Sequence, residues 1–197
     1  VRSAYEQKWE FILSTLKNEK IDPDKLNILI VSFKDEGQLD VYGKNKSETQ
    51  YKKLKSYKIC SKSGDLGPKR KQGDYQVPEG FYHIDRFNPS SSYYLSLGLN
   101  YPNESDKKKS SFQNLGGDIF IHGECVTIGC MPMTNDKIKE IYILAIEAKN
   151  NGQNRIPVYV FPFEMNDGKF NKFKNEYKND PGVLKFWTNI KGGYDLF

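Results

Sequence analysis

A chain of 197 residues, 37% hydrophobic and 28% charged, can bury the core of one domain and is short for two. Its 13 Tyr and 12 Phe argue against disorder. The net charge of +5, from 30 basic and 25 acidic residues, does not point to nucleic acid: the runs Lys52-Lys53-Lys55, Lys69-Arg70-Lys71 and Lys107-Lys108-Lys109 lack interleaved aromatics and read as solvated loops.

In chain order, Tyr5, Trp9, Ile12, Leu13 and Leu16 recur at helical spacing, which predicts an amphipathic helix over about residues 3–18, ended by Asp22-Pro23. The β-branched run Leu26 to Phe33 predicts a buried strand. Asp35-Glu36-Gly37 turns it into a second strand over Gln38 to Tyr42, and Tyr51 to Cys60 alternates weakly as a third. Residues 61–80 are dense in Gly, Pro, Lys and Asp and read as loop. Phe81 to Phe87 and Tyr93 to Leu99 read as strands around a turn at Asn88-Pro89-Ser90, and Pro102 to Ser111 as an exposed loop. A short strand, Ile119 to Ile121, delivers His122 at its end. Asn135 to Asn150 predicts a helix capped by Thr134, and Pro157 to Phe163 a strand. Gly168 to Asp180 is a charged helical stretch, and Val183 to Ile190 a further short element. There is no internal repeat and no linker, so residues 1–197 are expected to form a single mixed α/β domain, mainly β, with residues 1–20 packed on it as a helix. No stretch is apolar enough to span a bilayer. The chain opens on Val1, which suggests a processed or trimmed N-terminus from which an export signal would have vanished.

The chemistry concentrates between His122 and Cys130. A thiol attacks as the thiolate, which calls for a neighbouring imidazole or an electropositive backbone nook. His122 ends a strand, and the eight residues that follow can fold back to bring Cys130 within reach. Gly129 permits a sharp turn, so the amides of Gly129 and Cys130 are candidate oxyanion donors at the start of the following helix. Such parts suit acyl transfer, yet spacing alone equally allows a structural histidine and an inert buried thiol. A metal site of His122, Cys125 and Cys130 is a further alternative, with Cys spacing and ligand number unlike most zinc sites. The triplet His122-Gly123-Glu124 echoes the H-x-E of zinc deaminases, but no P-C-x-x-C follows. Three cysteines leave at least one thiol free or paired between chains. Cys60 is expected to be a buried thiol rather than a partner for Cys125, and Cys125 a small packing residue.

The run Asp118-Ile-Phe-Ile-His122-Gly, followed by Val126-Thr-Ile-Gly-Cys130-Met-Pro-Met, resembles the signature of L,D-transpeptidase (YkuD-type) catalytic domains, closest to the YafK-like branch. Other blocks agree in order, among them Gly67-Pro68-Lys69-Arg70 with Gly73-Asp74, Pro78-Glu79-Gly80-Phe81-Tyr82, Phe161-Pro162-Phe163 and Phe186-Trp187-Thr188-Asn189-Ile190. The resemblance runs from about residue 26 to the end. It implies the L,D-transpeptidase catalytic fold with flanking helices, and a cysteine acyltransferase acting at meso-diaminopimelate in peptidoglycan stem peptides. Cys130 would be the nucleophile, His122 the base and then the acid, and the Gly123 carbonyl the group that orients the imidazole. Thr127 stands where the motif usually has Ser and would line the site.

Two departures bear on the substrate. Larger members often carry a second His where this chain has Ile128, and an Arg after the cysteine where it has Met131-Pro132. The YafK-like branch shares both losses, so the open matter is how a substrate carboxylate is held. Arg86, His83 or Lys69-Arg70 are the candidates. The resemblance further implies stem peptides as partners, with a wall-attached protein or peptide as a specialised one, an exported envelope location, and no metal or organic cofactor. A non-catalytic envelope-binding module on the same fold is the alternative from another class, and a cysteine peptidase of ordinary proteins is a third.

Overall fold

A computed structural model describes residues 1–196. Helix α1 (Arg2–Asn18) leads through a short 3-10 turn into strands β1 (Leu26–Phe33), β2 (Gln38–Asn45) and β3 (Lys52–Lys58). After a long loop come β4 (Gly80–Ser91), β5 (Tyr94–Leu99), helix α2 (Glu104–Lys109), β6 (Phe120–His122) and β7 (Met131–Pro132). Helix α3 (Asn135–Asn150), strand β8 (Pro157–Phe161) and helices α4 (Asp167–Glu176) and α5 (Pro181–Tyr194) complete the chain. The eight strands form one sheet in the order β3-β2-β1-β8-β4-β5-β6-β7. β1 pairs with β8, and β6 with β7, in parallel; the other neighbours are antiparallel.

The apolar run of β1 is continuous because both of its faces are covered. Leu26, Ile28 and Ile30 join a core with Ile12, Leu16, Ile138, Ile141 and Ala145, beneath α1 and α3. Leu29, Val31 and Phe33 alternate to the other face and meet Phe163, Phe173, Trp187 and Ile190 beneath α4 and α5. β8 divides the same way, with Val158 and Val160 to the first core and Phe161 to the second. The aromatics Phe161, Phe163 and Phe173 are core, with Phe170 packed on them half-buried.

The structure redraws four of the expected boundaries. The turn at Asn88-Pro89-Ser90 is not there: β4 runs on to Ser91, and the pair Ser91–Tyr94 brackets a tip at Ser92-Tyr93. Pro89 is tolerated because the ladder is irregular between Asn88 and Ser91, where no strand amide is required of it. The expected loop at 102–111 holds the six-residue α2, set by a reciprocal capping box between Asn103 and Asp106. α4 ends at Glu176, earlier than the stretch to Asp180, and α5 is longer than 183–190 because Asp180 caps it and Pro181 opens it. Among the described residues, no helix is long and apolar enough to cross a membrane.

Candidate active site

The site is assembled where β6 and β7 run side by side. Their register pairs Ile121 with Met131 and His122 with Pro132. Carried back one residue, it sets Cys130 opposite Phe120, and the Phe120 amide indeed donates to Cys130 Sγ at 3.3 Å. The same register makes His122 and Cys130 diagonal neighbours across the strand pair. The loop thus returns the chain to lay Cys130 beside the Phe120 backbone.

His122 is only 2% exposed. Its Nδ1 lies 2.6 Å from the Gly123 carbonyl, and a carbonyl can only accept, so Nδ1 carries the proton. The neutral ring therefore keeps its lone pair on Nε2. Burial pulls the His122 pKa below its ordinary 6.5, with the Gly123 bond opposing. Tyr93, at the β4–β5 tip, covers the ring with centroids 4.8 Å apart. Gly123 itself has no room for a side chain: a Cβ would come within 2.5 Å of Asn135 Oδ1 and 2.8 Å of the Tyr93 carbonyl. The same Asn135 oxygen accepts from the Glu124 amide at 3.0 Å, tying the loop to the first residue of α3.

The loop is then stapled. Cys125 forms a disulfide with Cys60, with Cα atoms 5.4 Å apart across a sequence separation of 65. This corrects the expectation that Cys60 is a buried thiol and Cys125 mere packing. Cys60 in turn donates its amide to the Pro132 carbonyl at 3.0 Å, so the bridge clamps the loop against β7. It also removes Cys125 as a metal ligand, and among the described residues no group of three or more His, Cys, Asp or Glu could hold an ion.

Thr127 shapes the approach to the nucleophile. Its hydroxyl oxygen accepts from the amides of Cys130 at 2.8 Å and Gly129 at 3.2 Å, and its O–H donates to the Cys130 carbonyl at 2.8 Å. Both amides expected as free oxyanion donors are thus engaged. Nor does Cys130 begin a helix, since β7 intervenes before α3. Gly129, at φ +135°, has the Gln76 carbonyl 3.1 Å from where a Cβ would stand.

Cys130 is the free thiol. It is half-buried, and the thiol contacts the Asp118 carbonyl at 3.5 Å. Burial pushes its pKa above the ordinary value, opposed by the Phe120 amide; Asp118 adds to the rise and the Lys69 charge counters it. A thiol pushed up and an imidazole pulled down both favour their neutral forms. Cys130 lines two cavities. One, of about 340 Å³, also holds Lys69, Tyr75, Asp118 and Ile128; the other, of about 230 Å³, holds Lys34, Asp35, Lys62, Ser63 and Tyr177.

The expected substrate residues fare unevenly. Thr127 is at the site, as a turn builder. Arg86 is nearby but committed, with Nη1 2.8 Å from Asp118, Nε 3.1 Å from Asp85 and its guanidinium over Phe120. His83 sits opposite Pro157 in the β4–β8 ladder and lines neither cavity at Cys130. Of the Lys69-Arg70 pair, Lys69 lines a cavity with Cys130 and Arg70 lines neither; Tyr93 and Asn135 are given no role by the sequence.

The L,D-transpeptidase catalytic domain (YkuD) family model matches residues 27–160, which contain His122, Gly123, Thr127 and Cys130. The chain belongs to that family. Over 172 residues it is 41% identical to the Escherichia coli (strain K12) protein named Putative L,D-transpeptidase YafK, an alignment that covers 86% of this chain and 66% of that relative. The same figures hold for the counterpart from Escherichia coli O157:H7. The chain thus spans slightly less than two thirds of these relatives. Among solved structures, the fold resembles the helical cell shape determining protein Pgp2 from Campylobacter jejuni, with a TM-score of 0.55 and 24% identity over 71% of this chain and 49% of that one. It also resembles Bd1075 of Bdellovibrio bacteriovorus, with a TM-score of 0.51 and 23% identity over 78% of this chain and 55% of that one. Both likenesses are of fold, and the fold is the expected mixed α/β architecture.

Proposed function

We propose that this L,D-transpeptidase domain is a cysteine acyltransferase acting at meso-diaminopimelate in peptidoglycan stem peptides through a Cys130 thioester. The observation that carries the reading is the short bond from His122 Nδ1 to the Gly123 carbonyl, which leaves the Nε2 lone pair as a base on the diagonal neighbour of Cys130. Nε2 takes the thiol proton as Sγ attacks the amide carbon. The tetrahedral adduct collapses, the C–N bond breaks, and His122 returns the proton to the departing amine. An amine acceptor then attacks the thioester for transpeptidation, or water does so for hydrolysis. His122 takes the incoming proton and the Cys130 thiol is restored. No step calls for a metal or organic cofactor.

An exported, periplasmic or envelope location belongs to the same proposal. The Cys60–Cys125 disulfide supports it, since such bonds persist in oxidising compartments. A wall-attached protein or peptide is the specialised partner this reading admits.

Incubation with defined muropeptides, with and without a diamino acceptor, followed by mass spectrometry, is the test. Exchange or hydrolysis is expected for the wild type, with a loss of roughly a thousandfold or more in Cys130→Ala and His122→Ala. A non-catalytic envelope-binding module would leave every mass unchanged. A general cysteine peptidase would cleave all-L peptides in preference to stems with a D-centre.

A further inference from the structure

Burial makes a cation conspicuous, because an ammonium withdrawn from water must be compensated by partners. The cavities at Cys130 are lined by three among the described residues: Lys34, Lys62 and Lys69. Lys34 is spent. Its three N–H donors go to the carbonyls of Gly67 at 2.8 Å and Val77 at 3.0 Å and to the Glu79 carboxylate at 3.0 Å. Lys62 is exposed and donates to the Asp35 carbonyl, and a water-bathed ammonium holds an anion weakly. Lys69 differs from both. Its side chain is 5% exposed, and Nζ donates to Asp74 at 2.5 Å and to the Lys71 carbonyl at 3.0 Å, two bonds for three protons. It lines the same cleft as Cys130.

We propose that Lys69 is the carboxylate-binding residue of this site, its ammonium receiving a free carboxylate of the stem peptide next to the scissile amide. The proposal rests on the acyl-transfer reading above and supplies what that reading lacks, since Arg86 is held by Asp85 and Asp118 and His83 lies outside the cleft. The surroundings suit the task. Asp74 would keep the ammonium in place while it bonds a second carboxylate, because Asp74 is itself held by the amides of Arg70, Lys71 and Gln76. A charge-assisted bond in a cleft with little water is stronger than its surface counterpart and fixes orientation as well as affinity. Two carboxylates border the scissile bond: that of the departing D-residue and that at the D-centre of diaminopimelate. The chemistry of recognition is shared, and amidating them one at a time tells them apart.

The test compares wild type, Lys69→Met and Lys69→Arg on three donor peptides: both carboxylates free, the departing residue amidated, and the D-centre amidated. Wild type is expected to lose roughly ten- to hundredfold in kcat/KM on one of the amidated donors, mostly through KM. Lys69→Met should lose a similar factor on the free donor and no longer distinguish it from that amide, and Lys69→Arg should recover part of the preference. Equal losses by Lys69→Met on all three donors, or a wild-type profile in that variant, overturn the proposal. Asp74 retains three backbone donors, so Lys69→Met is expected to fold; should it not, an unchanged donor preference in Lys69→Arg overturns the proposal equally. Calorimetric binding of the same peptides to Cys130→Ala, with and without Lys69→Met, separates the two readings. Carboxylate-dependent binding that vanishes with Lys69→Met supports the anchor even if no turnover is found, and binding indifferent to Lys69 overturns it even if turnover is normal.

Discussion

At the scale of single residues, the site is governed by burial more than by a preformed charge pair. Burial raises the Cys130 pKa and lowers that of His122, so near neutral pH the resting state is thiol and imidazole. The proton would then move as the carbonyl is attacked. Alkylation of Cys130 by iodoacetamide should consequently climb steadily from pH 6 to pH 9, following a thiolate fraction that stays small until well above neutrality. Turnover by contrast needs only a neutral imidazole, and should hold as pH falls until it passes the lowered His122 pKa. An alkylation rate already level between pH 6 and 7 would reveal a standing thiolate–imidazolium pair and contradict this account. Spacing had left His122 and Cys130 an open pair, and the flanking blocks made them a site. The work of Thr127 in the turn is not legible, because nothing in a sequence tells that one hydroxyl will engage three backbone groups.

The elements show which signals a sequence carries. β1 and β8 were legible because two-sided burial leaves an unbroken apolar run. α3 was legible because Thr134 caps it and its apolar residues keep helical spacing. α2 was missed because it is polar almost throughout, its one signal being the Asn103/Asp106 box. The β4–β5 tip was misplaced because Pro89 looks like a turn residue and is in fact a tolerated irregularity; the shift puts Tyr93 over the His122 ring. The disulfide was hidden for another reason. It joins residues 65 apart whose approach depends on the β3 side of the sheet meeting the end of β7, a matter of tertiary geometry. Closing so long a loop should contribute roughly 2–4 kcal/mol to stability. The double variant Cys60→Ser/Cys125→Ser is therefore expected to unfold at lower denaturant. It should also turn over more slowly where still folded, since its active loop loses its covalent tie and keeps hydrogen bonds such as those of Gly123, Asn135 and Thr127. Wild-type midpoint and rate in that variant would show the bridge to be idle.

For the molecule as a whole, the two cores explain how a modest domain holds a site at one end of its sheet. The core beneath α1 and α3 fixes β5 and β6, and with them His122. The core beneath α4 and α5 reaches the cleft through a buried chain: Trp187 Nε1 donates to Glu79 at 2.8 Å, and Glu79 accepts from Lys34 and from the Gly67 amide. The loop carrying Lys69 is thereby anchored to the C-terminal helix. That the family and candidate site were legible while this support was not has a plain cause. The proposed nucleophile and base and the two glycines lie within nine consecutive residues, whereas Glu79 meets Trp187 across 108 positions. The central claim is that Cys130 carries the acyl group, and intact-protein mass spectrometry tests it most directly. The full chain is mixed with a stem-peptide donor, without acceptor, and quenched in acid. The account predicts a mass gain equal to the donor minus its leaving amine, released by hydroxylamine, mapped to Cys130 and absent in Cys130→Ala. Donor consumed with the same adduct in Cys130→Ala, or consumed at the wild-type rate by that variant with no adduct at all, would contradict it.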